Sequence, residues 1–131
     1  MSSAYVSVAL RQQVAQRAGY RCEYCGIHEE HTVLGCQVDH IISEKHGGAT
    51  AADNLAYACT FCNWYKGSDI ASLANDGSLV PLFHPRRDEW AAHFAVVGVV
   101  IQTRTAVAEA TARLLRFNVP ERLLERESLQ Y

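Results

Sequence analysis

Two Cys-x-x-Cys pairs, Cys22-Glu23-Tyr24-Cys25 and Cys59-Thr60-Phe61-Cys62, bracket the middle of this 131-residue chain. At that spacing both thiolates of a pair leave one tight turn and can reach a single tetrahedral metal. The chain has five cysteines, an odd number that would leave one over if they all formed disulfides. No apolar run is long enough for a membrane span, and the first residues lack the basic segment and long apolar stretch of a secretory leader. A cytoplasmic protein with reduced thiols is the expectation, and there the paired cysteines point to metal. One structural Zn²⁺ held by Cys22, Cys25, Cys59 and Cys62 follows. It forces two turns far apart in sequence to meet, so whatever lies between them must fold as a closed unit.

The length suits one domain, and a composition of 49% hydrophobic and 20% charged residues excludes a disordered chain. Net charge is −2, and a zinc held by four thiolates would add about −2 more. A nucleic-acid partner would therefore need a local basic face.

Ser7 is placed to cap a helix running to about Ala18, with Gly19 as its stop. Arg17 and Arg21 are surface cations by this pattern, solvated or facing phosphate. His28 and His31 could ligate metal, but four thiolates already complete a tetrahedral shell. Thr32 to Ile42 is β-branched and apolar, as a strand would be, with Cys36 a small buried hydrophobe inside it. Gly47-Gly48 marks a loop carrying His46. Asn54 to Tyr57 suits a short returning strand, and Cys59 to about Lys66 a helix that sets Asn63 and Lys66 on neighbouring turns. Beyond Ser68, Asn75-Asp76-Gly77-Ser78 is a turn. Leu79 to Arg87 suits an extended connector, Asp88 to Phe94 a short helix, and Ala95 to Gln102 a strand or a hairpin about Gly98. Thr103 or Thr105 can cap a helix to about Asn118 that turns Val107, Ala110 and Leu114 inward, and Pro120 can open a last helix. His84 and His93 suit structural roles.

Between the cysteine pairs lie Asp39-His40 and Asn54, and Asn63 follows the last cysteine directly. With Cys22, Cys25, Cys59, Cys62 and Lys66, these residues make residues 17–70 resemble the HNH endonuclease family. That family has a ββα-metal module often embedded in a four-cysteine zinc site, and the Asp and Asn ligands here are similar to those of its phage recombination endonuclease. Asn63 stands where the commonest pattern has a final His. The Phe83-His84-Pro85-Arg86 run with Trp90 and His93-Phe94 also resembles the C-terminal extension of small bacterial HNH proteins.

The resemblance implies an α+β fold: a zinc-bound ββα-metal (His-Me finger) module over 17–70, with an N-terminal helix and a mainly helical extension, 71–131, packing on it within one domain. It implies metal-dependent hydrolysis of DNA phosphodiesters. Such hydrolysis needs an activated water and a stabilised leaving oxygen. Asp39 and Asn63 would supply hard oxygen ligands to a catalytic Mg²⁺, Mn²⁺ or Ni²⁺, and His40 would be the general base. Neighbouring strand residues point to opposite faces, so Asp39 and His40 would need a bulge or twist to share a site. Asn54 cannot be acid or base and would instead fix the backbone near His40. Lys66, Arg86 and Arg87 would contact DNA, and Trp64 and Tyr65 could stack on bases or pack. The state would be monomer or homodimer, with no membrane partner. The competing readings are a non-catalytic nucleic-acid-binding zinc module and a zinc-stabilised interaction domain.

Overall fold

The computed structural model describes residues 5–129. Among them are five α-helices and three two-stranded antiparallel hairpins, an α+β arrangement. The chain forms two compact units divided after Asn63.

In the first unit, α1 (Val8–Arg17) begins at Ser7, whose side chain accepts the Leu10 N–H at 3.1 Å. It ends through left-handed Gly19 and Tyr20. Val14 and Ala15 on its inner face pack with Val6, Leu55 and Tyr57, flanked by Leu10, Ala18, Cys36 and Val38. Burying apolar side chains of this size stabilises by roughly 1.5–3 kcal/mol each. Arg17, expected at the surface, donates to the carbonyls of Ala52 and Leu55 at 2.8 and 2.6 Å, tying α1 to the second strand.

Strand β1 (Cys36–His40) pairs with β2 (Leu55–Cys59) in unbroken register from Cys36↔Cys59 to His40↔Leu55. Helix α2 (Thr60–Lys66) follows at once, so the order from Cys36 to Lys66 is strand, loop, strand, helix. The strand is shorter than the Thr32–Ile42 expected from its β-branched composition. Gly35 turns left-handed at φ 75° and Val33 is fully exposed, so residues before Cys36 have no partner strand. Composition favours strand, but pairing decides where it exists.

The second unit holds β3 (Ala71–Leu73), β4 (Leu79–Pro81), α3 (Trp90–His93), β5 (Phe94–Val97), β6 (Val100–Thr103), α4 (Ala106–Leu114) and α5 (Pro120–Glu127). The expected extended connector begins as β4, hairpinned to β3 about the Asn75–Ser78 turn. Hairpin β5–β6 turns at Gly98, as one of the two alternatives proposed. Thr105 caps α4, accepting from Ala108 N at 3.1 Å, and Pro120 opens α5. Helix α4 stops earlier than expected; Ala110 is buried as expected, but Ala108 and Thr111 are buried where Val107 and Leu114 are only half-buried. Thr111 explains the rotation: its hydroxyl accepts Phe83 N–H and donates to Val107 O, both at 2.8 Å, so a polar residue sits inside fully satisfied. Phe94 anchors this core, with ring centroids 5.6 Å from Phe83 and 5.5 Å from Phe117.

Candidate active site and metal centre

The four cysteine sulfurs lie within 4.8 Å of one another, all buried. Cys25 Sγ and Cys59 Sγ are 3.7 Å apart. Four sulfurs at about 2.3 Å from a tetrahedral Zn²⁺ sit roughly 3.8 Å apart, so the cluster has the size of a zinc site. Each pair forms a knuckle in which a backbone N–H points at the first sulfur: Cys25 N to Cys22 Sγ and Cys62 N to Cys59 Sγ, both 3.4 Å. The charge state also fits a metal. Contact with Cys22 and Cys59 pushes the Cys25 thiol well up, and burial does the same to Cys62. At Cys22 burial opposes ionisation, but hydrogen bonds from Cys25 and Cys62 outweigh it and hold the thiol down. A divalent cation is what lets four crowded thiols ionise together.

The first knuckle is fastened to the hairpin by Glu23. Its N–H donates to Tyr57 O and its carboxylate accepts Tyr57 N–H, both at 2.8 Å. Tyr24, the next residue, is 1% exposed and sends its hydroxyl 3.0 Å to Asp39 Oδ2. Burial and the Asp39 charge raise the phenol well above its ordinary range, so it stays a donor.

Asp39 lies on β1 at 6% exposure. Gln37, two residues earlier, shares its face of the strand, and Gln37 Oε1 accepts the Asn63 amide N–H at 2.5 Å. Asn63 is thus held on the Asp39 face, in the first turns of α2. A carboxylate and an amide oxygen are the kinds of donor a hard divalent cation prefers, so the chemistry of Asp39 and Asn63 fits such an ion. Tyr24 and Gln37 were not singled out from sequence. Gln37 was legible from its i−2 relation to Asp39; Tyr24, across a knuckle, was not.

His40 ends β1 and pairs with Leu55. The bulge expected between Asp39 and His40 is absent, because every residue of β1 has its partner on β2. The two side chains therefore keep to opposite faces of the ribbon. His40 is half-buried, and its Nε2 lies 2.9 Å from Thr50 Oγ1. Asn54 closes the loop that carries Thr50: its Oδ1 accepts Ile42 N–H at 3.0 Å, and its Nδ2 donates to Ile42 O and Ala49 O, both at 2.8 Å. Ile41 N–H also donates to Asn54 O at 2.9 Å.

Residues 22–69 match the model of the HNH endonuclease family. The matched HNH segment is well under half of the chain and contains both knuckles, β1, β2 and α2. No curated protein and no solved structure matches the chain.

The expected DNA contacts divide. Lys66 is 2% exposed, so it faces protein interior rather than solvent. Arg86 is half-buried and its backbone N–H donates to His84 Nδ1, while Arg87 is exposed. Trp64 is 79% exposed, and the Arg116 guanidinium sits 4.7 Å over the Tyr65 ring. His46 is exposed, and His28 Nδ1 accepts Glu30 N–H as a local cap. No described helix is long and apolar enough to cross a membrane.

Proposed function

We propose that the HNH segment hydrolyses phosphodiester bonds of DNA, with His40 as general base and Asp39 and Asn63 holding a catalytic divalent cation. The observation that supports this most is the division of labour across the β1–β2 ribbon. Oxygen donors lie on the Asp39 face, and an imidazole held by Thr50 lies on the other. Displacement at phosphorus is in line, so the attacking water and the leaving oxygen stand on opposite sides of the phosphate. A phosphate lying across the end of the ribbon would have His40 toward the water and Asp39 and Asn63 toward the leaving oxygen. When bound, the cation supplies charge stabilisation of that oxygen. The Thr50 contact orients the His40 ring, and the three Asn54 hydrogen bonds hold the loop that supplies Thr50. Zn²⁺ in the cysteine cluster would serve the fold.

Burial of Asp39 favours a second reading, a zinc module that binds nucleic acid without cleaving it. Plasmid nicking with Mg²⁺, Mn²⁺ or Ni²⁺, run beside His40→Ala, tests the two. His40→Ala should bind DNA equally and cleave roughly 10²- to 10⁴-fold more slowly. No cleavage by either protein, with equal binding, would support the second reading.

A further inference from the structure

The first zinc knuckle carries a side chain that bonds to a residue outside the cysteine cluster. Tyr24 lies between ligands Cys22 and Cys25 in sequence, yet its hydroxyl ends on Asp39 Oδ2 at 3.0 Å. We infer that Tyr24 is a positioning residue for the catalytic cation, aiming the Asp39 carboxylate and thereby linking the zinc knuckle to the cation site. This rests on Asp39 being a cation ligand, as proposed above.

Three observations carry it. Both partners are buried, Tyr24 at 1% and Asp39 at 6% exposure, so solvent does not compete for the bond. The turn that holds Tyr24 is itself immobilised: Gly26 N–H donates to Cys22 O at 2.9 Å, Cys25 N–H points at Cys22 Sγ at 3.4 Å, and Glu23 bonds twice to Tyr57. The backbone that carries the ring therefore cannot shift without moving a zinc ligand or β2. Finally, a carboxylate rotates about its last bond unless something fixes it. A hydroxyl on one oxygen fixes the plane and leaves the other oxygen directed. Outer partners of this kind typically change metal affinity 10- to 100-fold. A tyrosine that merely filled space would be replaceable by phenylalanine without effect on the cation.

The test uses the full zinc-loaded chain, with Mn²⁺ as probe, followed by electron paramagnetic resonance without DNA. Elemental zinc content and thermal unfolding are measured on each protein. The parent should bind an Mn²⁺ that Asp39→Ala no longer holds. Tyr24→Phe should keep its zinc and its unfolding temperature, bind Mn²⁺ about 10- to 100-fold more weakly, and alter the Mn²⁺ spectrum. Placing 4-aminophenylalanine at Tyr24, which restores a donor at the same point, should recover affinity. Unchanged Mn²⁺ affinity in Tyr24→Phe, loss of its zinc, or failure of the restored donor to rescue would each overturn the inference. If the parent holds no Asp39-dependent Mn²⁺, the cation site itself is wrong and the inference falls with it, a result distinct from a Tyr24 effect alone.

Discussion

At Gly48 the backbone passes so close to Ile42 that an added Cβ would lie 1.7 Å from the Ile42 carbonyl oxygen and 2.8 Å from Asn54 Nδ2. That carbonyl is the one Asn54 Nδ2 already uses. A methyl there cannot be accommodated by a flexible side chain, because the nearest atoms are backbone. Its neighbour Gly47 has open space but φ 88°, a left-handed conformation costly to alanine by roughly 1–2 kcal/mol. Gly48→Ala should therefore destabilise more than Gly47→Ala, by about 1–3 kcal/mol relative to the parent, and should also detach the Thr50 loop from His40. Urea unfolding of both variants measures the difference; equal midpoints would mean that the loop yields without cost. The same residues show what sequence can and cannot reveal. Asn54 was legible as a loop-fixing amide because it cannot titrate and stands one loop from His40. The need for glycine at 48 rather than at any turn position depends on an approach to Ile42 that only closure of the loop creates.

At the scale of elements, the two knuckles decide the HNH segment, and they were the most legible feature because thiolate spacing is a geometric requirement. Strand limits were less legible. Thr32 to Gly35 has strand composition but no partner, and Leu79–Pro81 has two-proline surroundings but does have one. Pairing is a property of two segments, and the alternation of one segment does not report it. The face of α4 was misjudged for a related reason, since Thr111 is apolar-facing only because Phe83 N–H and Val107 O satisfy its hydroxyl. Two predictions belong here. Cys59→Ser should lose zinc and, with it, several kcal/mol of folding energy, seen as a cooperative loss of structure and of zinc by elemental analysis. The second concerns the His84 loop. Burial, then the Arg87 and Lys66 charges, lower the His84 pKa. His84 Nδ1 accepts Arg86 N–H at 3.2 Å, an arrangement that requires the neutral ring. Because the folded value is depressed, this stabilisation is fully present above the unfolded histidine value of about 6.5 and is lost as pH falls through the folded one. Urea midpoints between pH 8 and 5 should fall more steeply for the parent than for His84→Gln, which keeps an acceptor but does not titrate. Parallel profiles would show that His84 contributes nothing to the acid side.

For the whole molecule the decisive quantity is where the positive charge goes. Up to Asn63 the chain has Arg11, Arg17, Arg21 and Lys45 against Glu23, Glu29, Glu30, Asp39, Glu44 and Asp53. From Trp64 onward eight Lys and Arg face eight Asp and Glu. The first unit is therefore acidic, before any thiolates are counted, and DNA, as the substrate proposed above, would have to be held by a few cations. Many of the twelve are engaged with the chain's own carbonyls. Arg17 holds Ala52 and Leu55, Arg21 holds Gly26, Arg113 holds Leu73 and Ala74, and Arg126 holds Val99 and Phe117. Lys66 and Arg122 are buried. Lys45, Arg87, Arg104 and Arg116 keep exposed side chains. Each phosphate neutralised on duplex DNA contributes about −0.9 to the slope of log K against log salt. Two to four such contacts give a shallow slope of roughly −2 to −4, and affinity that fades at high salt. Fluorescence anisotropy on one duplex across a salt series reads this directly. Arg87→Ala and Arg104→Ala together should bring the slope toward zero by about 2 if both touch phosphate. A parent slope near zero would remove duplex DNA as the partner and leave the zinc module as an interaction domain. A slope much steeper than −4 would require cations that this charge distribution does not offer from a single chain, and would point to a second copy sharing the duplex.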